Sequence, residues 1–446
     1  MLSLVRLTLL HTRPGAYDST ESESGSLQIV KRGTNGLAGE MLMNLALLNL
    51  PERIRGVLDT VVALRHDLHA HPELAFAENR TAGRVLEHLG ALPNLTLRSG
   101  VGGTGVVGLL NSRRQGPCVA LRADMDALPI QEATDLPYAS TLPGKTHACG
   151  HDGHTAALVG AAMVLSRLAD RLPGKVKFLF QPAEEAGGGA ARLIDEGALD
   201  NPKVDAIFGL HGWSDVELGH VAVSAGPVMA GTRTFDLILR GTGTHAAYPH
   251  RGSDVVAAAC QIVTAVHAIR TRRIDPVTPL VISICQVSAG HTYNVLPDEC
   301  GMKGTIRALD VTALESAWTQ VQQVAHAVAD LFGVEARFEL VDAYPPLVNE
   351  PGCARVVFEV GRELLGPNCV ADTHAPSMGG EDFAYYCQRV PGAFLRVGVR
   401  PGNIPDWPAI HNPKYDFNDA ALPTAIAMHC GVALKFLAEP PSTLCG

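Results

Sequence analysis

A chain of 446 residues, 46% of them hydrophobic, exceeds what one hydrophobic core usually serves, so two domains are expected. Its formal net charge of -9, with no basic run longer than Arg270-Thr271-Arg272-Arg273, argues against nucleic acid as a partner and for a small or peptide-like substrate. The ten cysteines form no CxxC pair and several fall in apolar runs, the habit of buried reduced thiols, so a reducing, cytoplasmic compartment is expected.

At the N-terminus Leu2 to Leu10 is mildly apolar with one arginine, but no small-residue cleavage site follows, and Asp18, Glu21 and Glu23 oppose a transit peptide. Residues 1–45 read as a disordered or spurious extension. Met41 is an alternative start, just ahead of a helical pattern through Leu48, Ile54, Val57, Leu58, Val61 and Leu64. No apolar stretch long enough to span a bilayer stands out, and no membrane partner is expected.

From Val119 to Leu210, strand-length apolar runs alternate with helical patterns, the signature of a parallel sheet flanked by helices. Cys118–Ala123 is followed by Asp124 and Asp126, Val176–Phe180 by Glu184-Glu185, and Ala206–Leu210 by His211. Three chemically loaded segments thus sit just past the carboxyl ends of three strands, where open α/β sheets bind ligands. A helix from Thr155 to about Leu168, rich in Ala and Gly, is expected to pack closely on that sheet.

The rhythm then changes. Phe235–Leu239, Leu280–Val287, Met302–Leu309 and Ala336–Val341 read as strands, with helices over Asp254–Arg270, where Ser253 is the N-cap, and Ala313–Leu331. The order β-α-β-β-α-β is that of the ferredoxin-like motif. The expected fold is therefore α/β: a mostly parallel-sheet catalytic domain flanked by helices (residues 46–228 and 343–440), with a ferredoxin-like βαββαβ lid domain inserted at 229–342.

Within this frame, Thr146-His147-Ala148-Cys149-Gly150-His151-Asp152-Gly153-His154 packs a thiol, three imidazoles and a carboxylate into one short loop. Imidazole, thiolate and carboxylate together suit borderline divalent ions rather than calcium, which prefers an all-oxygen shell. Any one of these histidines alone would read as a polar loop residue. Gathered together, with Glu184-Glu185, His211 and His411 downstream, they read as a metal site.

Eight motifs in fixed order carry a resemblance: Leu121-Arg122-Ala123-Asp124-Met125-Asp126-Ala127-Leu128-Pro129, His147–His154, Gln181-Pro182-Ala183-Glu184-Glu185, Gly209-Leu210-His211, Gly243-Thr244-His245-Ala246-Ala247, Asn294-Val295-Leu296-Pro297-Asp298, Gly304-Thr305-Ile306-Arg307 and Gly380-Glu381-Asp382-Phe383. Over roughly residues 50 to 440 the chain resembles the peptidase M20 family, and within it the amidohydrolase branch, which holds hippurate hydrolase, N-acyl-amino-acid hydrolases, N-acetyldiaminopimelate deacetylase and plant auxin-conjugate hydrolases. The resemblance implies two divalent metal ions per subunit, Mn or Zn with Co or Ni as alternatives, held by Cys149, His151, Glu185, His211 and His411, with Cys149 as the bridge. In the wider family an aspartate takes the bridging place, so the Cys-Gly-His spelling marks the branch. It further implies Glu184 as general base and acid toward a water activated at the ions, with Asp126 orienting the ligands. His147 and His154 are left without a ligand role, His154 capping the following helix or supporting the ligands from behind.

From the lid, the resemblance assigns His245 to the oxygen of the tetrahedral intermediate, and Asn294 and Arg307 to the substrate carboxylate, for which a planar guanidinium is a bidentate match. Asn294 equally suits a turn, and Arg307 a solvent-facing strand position. Glu381 and Asp382 fall at an expected helix start, where acids also complement the dipole. Thr244 departs from the family, which often has glycine there. The expected activity is hydrolysis of N-acyl amino acids, of hippurate or N-acetyl type. A dipeptidase or carboxypeptidase of the same superfamily and a non-catalytic metal- or ligand-binding homologue stand as alternatives, and a homo-oligomer is admitted.

Overall fold

The structure, a computed structural model, describes residues 49–442; the N-terminal extension and Met41 lie outside them. Helices α1 (Leu50–Ala70) and α2 (Asn79–Gly90) lead into strands β1 (Leu95–Val101), β2 (Gly105–Asn111) and β3 (Cys118–Asp124). Helix α3 (His151–Ser166), β4 (Lys175–Gln181), α4 (Gly189–Asp195), β5 (Ala206–Glu217), β6 (Val221–Ala222) and β7 (Gly226–Met229) follow. Next come β8 (Gly231–Arg240), β9 (Thr244–His245), α5 (Val255–Arg272), β10 (Leu280–Ala289), β11 (Val295–Leu296), β12 (Glu299–Ala308), α6 (Val311–Phe332) and β13 (Glu335–Asp342). The chain closes through β14 (Leu347–Asn349), α7 (Pro351–Leu365), β15 (Val370–Ala371), α8 (Ala384–Cys387), β16 (Gly392–Arg400) and α9 (Leu422–Ala438).

The larger sheet runs β1-β2-β4-β3-β5-β16-β6-β15. Its centre, β4, β3, β5 and β16, is parallel, with Leu121 opposite Phe178 on one side and Phe208 on the other. Because both faces of that centre are covered, β3 and β4 are buried along almost their whole length rather than alternating. Helix α3 packs against α1 and α9. A Cβ on Gly160 would come within 2.9 Å of both Ile426 and Val61 side chains, so the small residues of α3 let its neighbours approach.

The smaller sheet, β10-β12-β8-β13, is wholly antiparallel. Helices α5 and α6 pack on it around a core of its own, including Phe235, Leu237, Ile262, Val266, Met302, Ile306 and Val321. Along the chain β8, α5, β10, β12, α6 and β13 give the order β-α-β-β-α-β.

Four sequence readings shift. Helix α5 is capped by Asp254, whose carboxylate accepts the N–H groups of Val256 and Ala257, and not by Ser253. Helix α3 starts at His151 instead of Thr155, because Gly150 at φ 89 is its left-handed N-cap and ends the preceding loop early. Strand β5 extends to Glu217, so His211 lies within it rather than past its end; its pairing with β16 continues through His211 opposite Arg396 and Gly212 opposite Val397. The helix spanning Asp419–Ala438 has the length and mean hydropathy, 1.5, to cross a bilayer, against expectation. Its apolar residues face protein instead: 78% of that stretch is buried, packed on α1, α3 and α7.

Candidate metal centre

At Gly150, a φ of 89 turns the chain sharply between Cys149 and His151, and a Cβ there would lie 3.0 Å from the Tyr415 hydroxyl. The turn lets both side chains share one centre. Cys149 Sγ lies 3.3 Å from His211 Nε2, and Cys149, His151 and His211 place their donor atoms within 4.8 Å of one another. Cys149, Glu185 and His411 form a second such trio, with His411 Nε2 3.1 Å from Glu185 Oε1. Cys149 belongs to both. His411 reaches its place from far along the chain in a left-handed conformation, φ 65, with its N–H donating to Ala148 O at 2.7 Å.

The imidazoles are aimed by what holds their other nitrogens. His151 Nδ1 lies 3.2 Å from Asp126 Oδ1, and His211 Nδ1 donates to the Gly212 carbonyl at 2.8 Å, leaving each Nε2 turned to the shared centre. His151 Nε2 and Glu185 Oε1 are buried and make no hydrogen bond within the protein. Buried polar atoms are nearly always satisfied, and here the unsatisfied ones converge. Burial, and after it His154, holds the His211 imidazole well below its usual range, so it is neutral, as a ligand must be. The donor set of one sulfur, three imidazole nitrogens and one carboxylate therefore fits borderline divalent ions, which these residues would hold.

Asp126 also fixes the acidic pair, accepting the N–H of Glu184 at 3.1 Å and of Glu185 at 3.0 Å. His154 does not cap α3. It sits in the first turn, its Nδ1 2.7 Å from Asp124 Oδ1 and its Nε2 accepting the Gly212 N–H at 2.8 Å, which ties β3 to β5 behind the ligands. His147 is buried with neither ring nitrogen bonded, and burial pulls its pKa down to about 4.

The Glu184 side chain is buried against Glu381 and Asp382, with carboxylate oxygens of all three within 4.8 Å. Burial first, then the charges of Glu381, Glu185, Asp382 and Asp126, push Glu184 well above the usual carboxylate range. One buried guanidinium, Arg122, balances the cluster. It donates to Asp124 at 2.6 Å, Gln181 at 2.9 Å, Glu381 at 3.0 Å and Asp382 at 2.9 Å. The sequence reading gave Arg122 no role, although a charge inside an otherwise apolar central strand was a visible signal. Tyr344, whose hydroxyl donates to the Glu184 carbonyl at 2.9 Å, carries no comparable signal.

A cavity of about 430 Å³ opens over these groups, lined by Cys149, Glu184, Glu185, His211 and His411 together with Trp213, Met229, Ile410 and Arg307. Arg307 reaches it from β12 and donates to Met378 O at 3.2 Å. His245 and Asn294 are not brought there. Both are exposed on the β9–β11 ribbon, where His245 pairs with Val295 and Ala246 N–H donates to Asn294 O.

The family profile described as Peptidase family M20/M25/M40 matches residues 120–435. An N-acetylcysteine deacetylase of Bacillus subtilis is 37% identical over 365 residues, 82% of this chain and 93% of that one. A thermostable carboxypeptidase 1 of Saccharolobus solfataricus is 36% identical over 391 residues, 87% of this chain and 98% of that one. Among solved structures, the YXEP protein of Bacillus subtilis, described as a dinuclear metal binding peptidase from the M20 family, superposes with a TM-score of 0.73 at 33% identity, covering 86% of this chain and 99% of that one.

Proposed function

The chain belongs to peptidase family M20/M25/M40 and is a hydrolytic enzyme of the amidohydrolase kind, and from that premise we propose that it cleaves the amide bond of N-acyl amino acids. The observation that carries the reading is one cavity lined by three unlike features: Cys149, His211, Glu185 and His411 of the two trios that share Cys149, the buried acid Glu184, and Arg307 on the opposite sheet. Divalent ions held by Cys149, His151, Glu185, His211 and His411, zinc or manganese as the family resemblance implies, would supply Lewis acidity, polarise the amide carbonyl and lower the pKa of water and of nearby acids.

The protein's own groups do the rest. Glu184 is the proton carrier: its carboxylate, which lines the cavity, takes a proton from the attacking water and returns it to the departing nitrogen. Arg307 supplies a planar cation for the carboxylate of the amino acid. Trp213, Met229 and Ile410 give the acyl group an apolar wall. His245 and Asn294, outside the cavity, take no part in this reading.

The likeness to a carboxypeptidase at 36% identity favours a second reading, hydrolysis of peptides. Release of free amino acid from N-acetyl-methionine and hippurate, set beside dipeptides and N-blocked peptides, separates the two. Turnover of the N-acyl amino acids should exceed that of peptides, vanish after chelation and return with Zn²⁺ or Mn²⁺. Faster cleavage of peptides would replace the N-acyl reading by the peptidase one.

A further inference from the structure

A buried carboxylate outside the cavity lining, that of Glu78, holds the backbone from which Glu184 projects. Ala183, immediately before it, has φ 53, and Phe76 has φ 59; both are left-handed conformations that cost a side-chain-bearing residue energy. The N–H groups of both donate to one atom, Glu78 Oε1, at 2.8 Å from Ala183 and 3.0 Å from Phe76. The other oxygen accepts the Thr104 hydroxyl at 2.5 Å. Glu78 occupies the N-cap position of α2, yet its side chain caps no N–H of that helix. It is fully buried, and its hydrogen bonds go to the two strained residues and to Thr104.

The neighbouring contacts point the same way. A Cβ on Gly187 would lie 2.7 Å from the Phe76 ring, and the Arg192 guanidinium stands 3.9 Å over that ring. The Gly189 N–H closes the turn onto the Ala183 carbonyl at 3.0 Å. Residues 76–78 therefore clasp the loop that runs from Ala183 to Arg192. Asp126 grips the same loop one residue later, at the N–H groups of Glu184 and Glu185.

We propose that Glu78 is a positioning residue for catalysis: by accepting the Ala183 N–H it keeps that residue left-handed, and so aims the Glu184 carboxylate into the cavity. This rests on Glu184 being the proton carrier of the reaction read above. Glu78 touches neither the ligands nor the cavity, so its removal should act on kcat more than on KM or metal content.

The test uses Glu78→Asp, which keeps the charge but withdraws the acceptor by one methylene, and Glu78→Gln, which keeps an acceptor oxygen at full length. Glu78→Asp should lower kcat about tenfold to a hundredfold, the scale on which a small displacement of a reacting group is felt, with KM and bound metal unchanged. Glu78→Gln should recover most of that loss. Adding Ala183→Gly to Glu78→Asp should also restore turnover, because glycine holds a left-handed φ without help. Deuterium exchange of the peptide covering residues 181–189 should quicken in Glu78→Asp, a readout that needs no substrate. A Glu78→Asp enzyme with wild-type kcat and unchanged exchange, or a loss that Ala183→Gly does not lessen, overturns the proposal. Failure of the substrate reading shows differently: it appears in the wild-type preference between N-acyl amino acids and peptides, while the variant-to-wild-type ratio is taken on whichever the wild type cleaves.

Discussion

Glu184 and Glu185 are neighbours in sequence, both near His151, but with different further partners. Asp126 accepts both backbone N–H groups and fixes the turn between them. The Glu185 side chain then reaches His411 Nε2 at 3.1 Å and His151 Nε2 at 3.9 Å, while that of Glu184 turns toward Glu381 and Asp382. Glu184→Gln should therefore cost about a hundredfold or more in kcat, the usual contribution of a general acid and base, with metal content nearly intact. Glu185→Gln should lose metal as well as activity. Metal analysis of the two purified variants decides between the roles, and a larger metal loss in Glu184→Gln would reverse them.

Between elements, α1 is bound to the ligand-bearing end of α3 by buried charges. Arg65 donates to Asp152 at 2.8 Å and to Asp419 at 3.2 Å, and is paired with Asp416. One turn on, His69 meets the same Asp152 oxygen at 2.8 Å and Glu132 at 3.3 Å. Burial alone would lower the His69 pKa, but Asp152 and then Glu132 outweigh it and raise it from 6.5 to about 9. A raised histidine stabilises the fold in its charged form, so this contribution is complete below pH 6.5 and is lost as pH rises through about 9. The shift corresponds to roughly 3 kcal/mol at most. Thermal unfolding should show a midpoint that falls between pH 6.5 and 9 in wild type, with His69→Gln destabilised at pH 6.5 and converging on wild type near pH 9.5. A flat wild-type profile would rule out the link.

That same pair of helices marks how far the sequence could be read. The apolar period of α1 is plain, but Arg65 and His69 fall among its apolar residues, and their acidic partners lie 83 or more positions away apart from Glu132 at 63. No local pattern announces such pairings. The residues of the two candidate trios could be singled out because a dense run of thiol and imidazole stands out in the sequence. The Glu78 clasp was not, since a left-handed alanine is a property of the folded backbone. His211 was assigned to the centre but misplaced relative to its strand, because a pairing partner 185 positions later, Arg396, prolongs β5 past the apolar run.

At the scale of the molecule, the cavity lies between two sheets with separate cores, and the chain crosses between them at residues 229–231 and 342–347. The larger sheet, with the loops and helix beside it, supplies the candidate ligands and Glu184, and the smaller one supplies Arg307. On the proposed reading, substrate runs from the reacting amide on one side to a cation on the other, so a free carboxylate on the amine side of the scissile bond should be required. A partly buried guanidinium facing a neutral amide gains no anionic partner from the substrate, and sites built for a polar group reject analogues that lack it far more strongly than apolar pockets reject a methylene. Replacing N-acetyl-methionine by N-acetyl-methioninamide should lower kcat/KM by about 2–4 kcal/mol in wild type. In Arg307→Ala the acid should fall toward the amide, and the gap between them should close. Varying the acyl group from acetyl to benzoyl should matter less, since Trp213, Met229 and Ile410 discriminate by shape alone. Equal wild-type rates on the acid and the amide would remove Arg307 from substrate recognition, and with it the reason for the smaller sheet to stand over the metal centre.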